Sequence, residues 1–148
     1  MKFNFSLQKV LEHRKVVENL AQKSFQEVSV IWQQEVEKLQ IMEKSIHDAQ
    51  LQAGVLVSEG GQQAAALMQI HEFLKGQKIR IQNQIQRVAE AEKLVEARRE
   101  ILRQAALDYK IMVKMRENKF EEYRQERLAQ DQKEMDEQSI LRFKAVKE

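Results

Sequence analysis

The sequence contains no cysteine and no proline. The absence of cysteine excludes disulfides and thiolate metal ligands, and it is compatible with a reducing compartment. Without proline, and with only four glycines, few positions interrupt a helix. What remains is rich in Gln, Glu, Lys, Ala, Leu and Arg, which are all good helix formers. The 148 residues therefore predict a single all-α domain of long helices, residues 1–148.

Long apolar runs and a dominant charge are also missing. No run approaches the roughly 20 apolar residues that cross a bilayer, and residues 1–6 are too short and polar to begin a signal peptide. The 25 Lys and Arg residues nearly balance the 23 Asp and Glu residues, and both signs are mixed along the chain. Nucleic acid binds clustered basic residues, so we expect no nucleic-acid partner. We expect a cytoplasmic protein that reaches a membrane only through its partners.

Apolar residues in the second half recur at every seventh position, as in a coiled-coil seam. These positions are Leu67, Leu74, Ile81, Val88, Val95, Leu102 and Tyr109. The companion positions, three residues later, are more polar: Ile70, Gln77, Gln84, Ala91, Arg98, Ala105 and Met112. The pattern predicts one long helix with a specific but weakened seam.

The first half has a seam of its own, spaced alternately by three and four residues. Its members are Phe25, Val28, Trp32, Glu35, Leu39, Met42, Ile46, Ala49 and Ala53. Upstream, the apolar pattern suggests Leu7, Val10, Arg14, Val17 and Ala21. Two successive steps of four around Ala21 predict an insertion that locally relaxes the supercoil.

Adjacent glycines, Gly60 and Gly61, separate the two seams and predict a reversal of the chain. We expect an antiparallel coiled-coil hairpin with helices over about 6–57 and 62–146 and a turn at about 58–61. The first helix would then begin beside about residue 115, leaving the final ~30 residues unpaired. Gly54 and Gly76 leave a broader loop with a short helix as the alternative.

Enzymatic chemistry finds little support. A two-helix hairpin encloses no core for a substrate pocket. No two of His13, His47 and His71 fall three or four residues apart, as a zinc site on a helix needs, and "SEGGQQ" lacks the Lys-Ser/Thr of a phosphate-binding loop. We expect exposed histidines, no catalytic or metal site, no cofactor and no enzyme activity.

Four carboxylates lie in "DQKEMDEQS", but helical spacing spreads them around the helix, so a solvated face is expected. They are Asp131, Glu134, Asp136 and Glu137. Five aromatic residues lie near or beyond the end of the paired region, where two helices cannot bury them: Phe3, Phe5, Phe120, Tyr123 and Phe143. Exposed aromatics clustered at one end predict a protein interface.

Three segments together resemble the FliJ family of the bacterial flagellar export apparatus. They are "FNFSLQKVLEHRKVVENLA", "VEARREILRQA" and "DQKEMDEQSILRFK". The most specific parts are the opening Phe-x-Leu-x-x-Val-Leu-x-x-Arg and the closing Asp-Gln-Lys-x-Met-Asp-Glu. The resemblance covers nearly the whole chain.

The resemblance implies a component of the flagellar type III secretion machine, similar to the coiled-coil stalk of the rotary ATP synthase gamma subunit. Such a protein binds the export ATPase and promotes assembly of the ATPase ring. It contacts the export gate, which is a membrane protein. It also handles export chaperones, and it serves motility and chemotaxis. We expect a chain that is monomeric when alone and peripherally associated with the inner face of the cell membrane at the flagellar base.

The resemblance also suggests two contact regions. The ATPase would meet the paired termini, at Arg14, Lys15, Phe120, Arg124 and Arg127. The export gate would meet the region flanking the turn, at Met42, Ile46, Phe73 and Leu74. The family's gate-contacting surface is aromatic-rich in the first helix, whereas this chain has Ser45 and Ala49 near the equivalent place.

Two other functions fit the sequence. One is the equivalent stalk of a virulence injectisome, which shares the hairpin but not reliably the closing motif. The other is a structural coiled-coil tether that homo-oligomerises through its overhanging helix. Neighbouring genes distinguish the first, and sedimentation of the purified chain distinguishes the second.

Overall fold

The chain folds into two long α-helices in the computed structural model, which describes residues 2–60 and 63–147. Helix α1 spans Gln8–Ser58 (51 residues) and helix α2 spans Ala64–Lys147 (84 residues). Residues 2–60 and 63–147 contain no strand, and the predicted all-α class is confirmed. The helix ends differ from the predicted ones by the one or two residues that helix assignments ordinarily leave open. Gly61 and Gln62, predicted to end the turn and begin the second helix, lie outside the described residues.

The chain divides into two compact units. The terminal unit comprises Met1–Asn19 and Arg103–Glu148, and the turn unit comprises Leu20–Leu102. Each unit pairs a part of α1 with an antiparallel part of α2. The single-domain organisation stays a prediction.

Both predicted seams are sheltered from solvent. On α2, every heptad position from Leu67 to Tyr109 is half-buried or buried, and so is every companion position. Gln84 (2% exposed) and Met112 (3%) are the most buried among the core residues. On α1, all nine predicted positions over 25–53 are sheltered as well. The spacing of three and four residues therefore identified the contact face of each helix.

The first part of the α1 seam differs from the prediction. Leu7, Val10 and Val17 are exposed. Arg14 and Ala21 are sheltered as predicted, and Leu11 and Glu18 are sheltered as well. These positions continue the alternation of three and four directly into Phe25, so the predicted insertion is wrong. Neighbouring residues of a helix differ in direction by about 100°, so Val17 and Glu18 cannot both face α2. The seam over 25–53 fixes the rotation of α1 about its axis, and this rotation places Glu18 inward and Val17 outward.

Gly60 ends α1 in the turn unit. Its φ of 103° lies in the left-handed region, which glycine adopts without a Cβ clash. The Gly60 N–H donates to the Val57 carbonyl oxygen at 3.4 Å, as expected where a glycine closes a helix. Gly54 lies within α1 and Gly76 within α2, so the alternative of a broader loop between them is wrong.

The N-terminal segment, residues 2–7, packs on α2 in the terminal unit. The Phe3 ring centre lies 5.2 Å from that of Phe120 and 5.6 Å from that of Tyr123. Phe5 is only 7% exposed. The prediction that a two-helix hairpin leaves all these aromatics uncovered is therefore wrong for Phe3, Phe5 and Tyr123, because the N-terminal segment and α2 pack against each other.

The overhang is accordingly shorter than the ~30 residues predicted. Residues 124–147 are all exposed, and Phe143 remains 63% exposed, as expected. Neither helix, over the residues described, contains a stretch long and apolar enough to cross a membrane.

Candidate functional site

Arg14 and Lys15, two of the predicted ATPase contacts, reach from α1 to α2 in the terminal unit. Arg14 is half-buried, and its Nη1 donates to the backbone carbonyl oxygen of Asp108 at 3.0 Å. The Lys15 ammonium lies 4.7 Å from the centre of the Tyr109 ring and 3.6 Å from the Glu18 carboxylate. Arg14 thus holds the helices together, whereas Lys15, with a side chain 47% exposed, offers its charge to solvent.

Phe120, Arg124 and Arg127 share one face of α2, because positions four and seven residues apart lie on the same side of a helix. Phe120 keeps 47% of its surface exposed beside Phe3. Arg124 lies 3.4 Å from the Glu121 carboxylate, and both side chains of this pair are more than half exposed. Arg127 is exposed. This face combines an accessible ring with accessible guanidinium groups.

The five predicted ATPase contacts do not form one compact patch. Lys15 lies against Tyr109, and Arg127 follows Tyr109 on α2 by about 27 Å at 1.5 Å per residue. The structure brings together Phe120, Arg124 and Arg127, and separates them from Arg14 and Lys15. Their role in binding the ATPase stays a prediction.

The four predicted gate contacts lie in the turn unit. Met42, Ile46 and Leu74 are half-buried in the seam, where their side chains serve packing. Phe73 is 40% exposed, and the Arg80 guanidinium lies 5.9 Å from its ring centre. Phe73 also lines a surface groove together with Ser45, Asp48, Ala49, Gln52, Gln69 and Ile70. Of the four residues, Phe73 is the one whose side chain is exposed, and a role of all four in binding the gate stays a prediction.

The carboxylates of "DQKEMDEQS" lie on an exposed part of α2. All four residues are exposed, and Asp136 accepts a hydrogen bond from the Gln132 amide at 3.0 Å. The three histidines are exposed too, as expected. In the part of the chain that the structure describes, no three His, Cys, Asp or Glu side chains converge as a metal site requires.

The sequence predicted an interface that includes Phe3 and Phe5, but it did not predict that the N-terminal segment packs on α2. Phe3, Asn4, Phe5 and Ser6 line a groove of about 230 Å³ whose other wall is α2. A signal was present in "FNF", because alternate residues of an extended segment point the same way. That alternation just before the first helix could have indicated a segment with an apolar side.

The fold places the chain in the class of all-α proteins in which two long helices pair as a coiled coil. The family model described as "Flagellar FliJ protein" matches residues 2–148. The chain therefore belongs to the FliJ family, a non-catalytic family of flagellar export proteins. Membership implies a role related to flagellar protein export. No curated protein and no solved structure matches the chain.

Proposed function

We propose that the chain is a stalk-like export component that binds the export ATPase through its terminal unit and the export gate through its turn unit. By doing so it promotes the export of flagellar proteins. The observation that carries the proposal is the family match over residues 2–148. Exposed Phe120 in the terminal unit and exposed Phe73 in the turn unit support it, because partly exposed aromatics are frequent anchors of protein interfaces.

On this proposal the chain contributes binding and no bond-breaking chemistry. ATP hydrolysis takes place in the ATPase, which the chain helps to assemble into a ring. Contact with the gate brings the chain to the inner face of the cell membrane at the flagellar base. Export chaperones are further proposed partners.

The test mixes the purified full chain with the purified export ATPase and measures ring assembly and ATP turnover. We expect both to increase, because a ligand that binds the assembled ring shifts the equilibrium towards it. Absence of binding, together with unchanged assembly and turnover, contradicts the proposal.

Two matched substitutions separate the two contacts. Phe120→Ala and Phe73→Ala each remove one aromatic ring that is 47% and 40% exposed, respectively. We expect Phe120→Ala to weaken stimulation of the ATPase and Phe73→Ala to weaken binding to the purified gate protein. The reverse pattern, or equal effects of both substitutions in both assays, contradicts the assignment of the units.

One observation favours the tether as a second function. The overhang exposes several large apolar side chains: Leu128, Met135, Ile140, Leu141, Phe143 and Val146. Sedimentation of the full chain at micromolar concentration tests it. A monomer agrees with the stalk, and a stable homodimer favours the tether.

A further inference from the structure

We propose that one face of α2 in the terminal unit is a docking surface for a carboxylate-rich segment of the export ATPase. The face, called here the arginine–aromatic face, consists of Arg116, Phe120, Tyr123, Arg124 and Arg127. The N-terminal segment completes it by holding the two rings in place. The inference rests on the proposed function and specifies the chemistry of its ATPase contact.

Helical spacing places these five residues on one side of α2. At 100° per residue, they fall within about 100° of the helix circumference. From Arg116 to Arg127 they extend over about 17 Å of helix. This is a narrow stripe of the width and length that one helix or one extended segment of a partner covers.

The aromatic part of the face is fixed by the N-terminal segment. Phe3 packs edge-on against Phe120 and tilted against Tyr123, at ring-centre distances of 5.2 and 5.6 Å. The Arg116 guanidinium lies 5.8 Å from the Phe3 ring centre, and burial of Phe5 anchors the segment. Phe120 nevertheless stays 47% exposed. A ring held in place before binding loses little conformational entropy when a partner covers it.

The charged part of the face selects an acidic partner. Arg116, Arg124 and Arg127 present guanidinium groups, which bind carboxylates in a bidentate geometry. Arg124 already lies 3.4 Å from Glu121, but both side chains are exposed, and exposed pairs contribute little. Glu121 therefore restrains Arg124 only weakly, and a partner's carboxylate can take its place. Asp131, four residues beyond Arg127, ends the run of positive charge on this face.

The experiment measures binding of the purified export ATPase to the full chain at low and at high salt. The test variant is Arg124→Gln/Arg127→Gln. The matched control is Lys133→Gln/Lys144→Gln, which removes two exposed positive charges that lie outside the arginine–aromatic face of the same helix. All four side chains are exposed, so both variants should keep the helix content of the wild type by circular dichroism.

We expect the arginine variant to bind about 10- to 100-fold more weakly at low salt, with a shallower dependence on salt. The control should bind within about twofold of the wild type. A third variant, Phe3→Ala, should weaken binding several-fold at both salt concentrations, because it removes a ring and no charge.

Each outcome has a defined meaning. If the wild type binds and the arginine variant binds equally well with the same salt dependence, the inference is overturned while the proposed function stands. Equal weakening by the lysine control also overturns it, because net charge would then explain the loss. A wild-type chain that does not bind the ATPase overturns both the inference and the ATPase contact of the proposed function.

Discussion

Gln84 makes the most deeply buried polar contact across the seam. Its amide nitrogen donates to the Glu35 side chain at 2.6 Å and to the Glu35 backbone carbonyl oxygen at 2.9 Å. The hydrogen bond from Gln84 lowers the pKa of the Glu35 carboxyl, and the neighbouring Lys38 and Arg87 lower it further, against the opposing effect of desolvation. The charged form of Glu35 therefore favours the folded state.

Replacing Glu35 with glutamine should change how stability depends on pH. A carboxyl whose pKa is lower in the folded than in the unfolded state stabilises the fold above its unfolded pKa, and this stabilisation is lost as the pH falls through the folded pKa. We therefore expect the free energy of unfolding of the wild type to exceed that of Glu35→Gln at neutral pH, and this difference to disappear as the pH falls below about 4.5. Urea unfolding at a series of pH values measures the difference. Glu37→Gln, at an exposed position nearby, is the control, and an advantage that grows towards acid pH would contradict the prediction.

The backbone conformation at the end of α1 requires a glycine, whereas the conformation within the helix does not. Gly60 adopts a φ of 103°, whereas Gly54 lies in the helix with no atom within 4 Å of the position of an added Cβ. The same substitution at the two positions therefore meets opposite conditions. At Gly60 a side chain strains the backbone, and at Gly54 it reduces the freedom of the unfolded chain.

Gly60→Ala should lower the free energy of unfolding by about 1–2 kcal/mol, the penalty for a left-handed residue with a Cβ. Gly54→Ala should raise it by about 0.5–1 kcal/mol, because alanine is the better helix former. Chemical denaturation of the two variants beside the wild type measures both. Effects of the same sign would show that the chain does not reverse at Gly60 as described.

Periodic features of the helices were predictable from sequence, and long-range contacts were not. The seams over 25–53 and 67–112 followed from spacing, because only one face of each helix can meet the other. The local choice between Val17 and Glu18 failed, because hydrophobicity at one position is weaker than the phase of the whole helix. The contact of Phe3 with Phe120 could not be read from either segment alone, because nothing local indicates which distant residue a side chain meets.

For the molecule as a whole, stability should depend little on the length of the overhang. Residues 124–147 are exposed throughout, whereas Phe5 is 7% exposed against α2. Exposed residues contribute little apolar burial, and a single buried phenylalanine contributes about 1.5–3 kcal/mol. The short N-terminal segment therefore stabilises the terminal unit more than the much longer overhang does.

Truncating the chain after Arg127 should leave the free energy of unfolding nearly unchanged and lower only the helix signal. Phe5→Ala should lower the free energy of unfolding by about 2–3 kcal/mol through lost burial. Thermal melts followed by circular dichroism compare the two, with Leu7→Ala, at a 37% exposed position, as the control for truncation near the N-terminus. A deletion that destabilises the chain as much as Phe5→Ala would mean that the overhang is packed in solution.

The hydrogen bonds that cross the seam also resist sliding of one helix along the other. If α2 slid past α1 by one heptad, Gln84 would face Val28 or Met42 in place of Glu35, and its buried amide would lose its acceptors. The Gln77 amide, which donates to the Ser45 hydroxyl at 2.9 Å, would lose its partner in the same step. A purely apolar seam would slide with a smaller penalty. A force applied along one helix is therefore transmitted to the other helix through these side chains. In the turn unit, both helices then share the load.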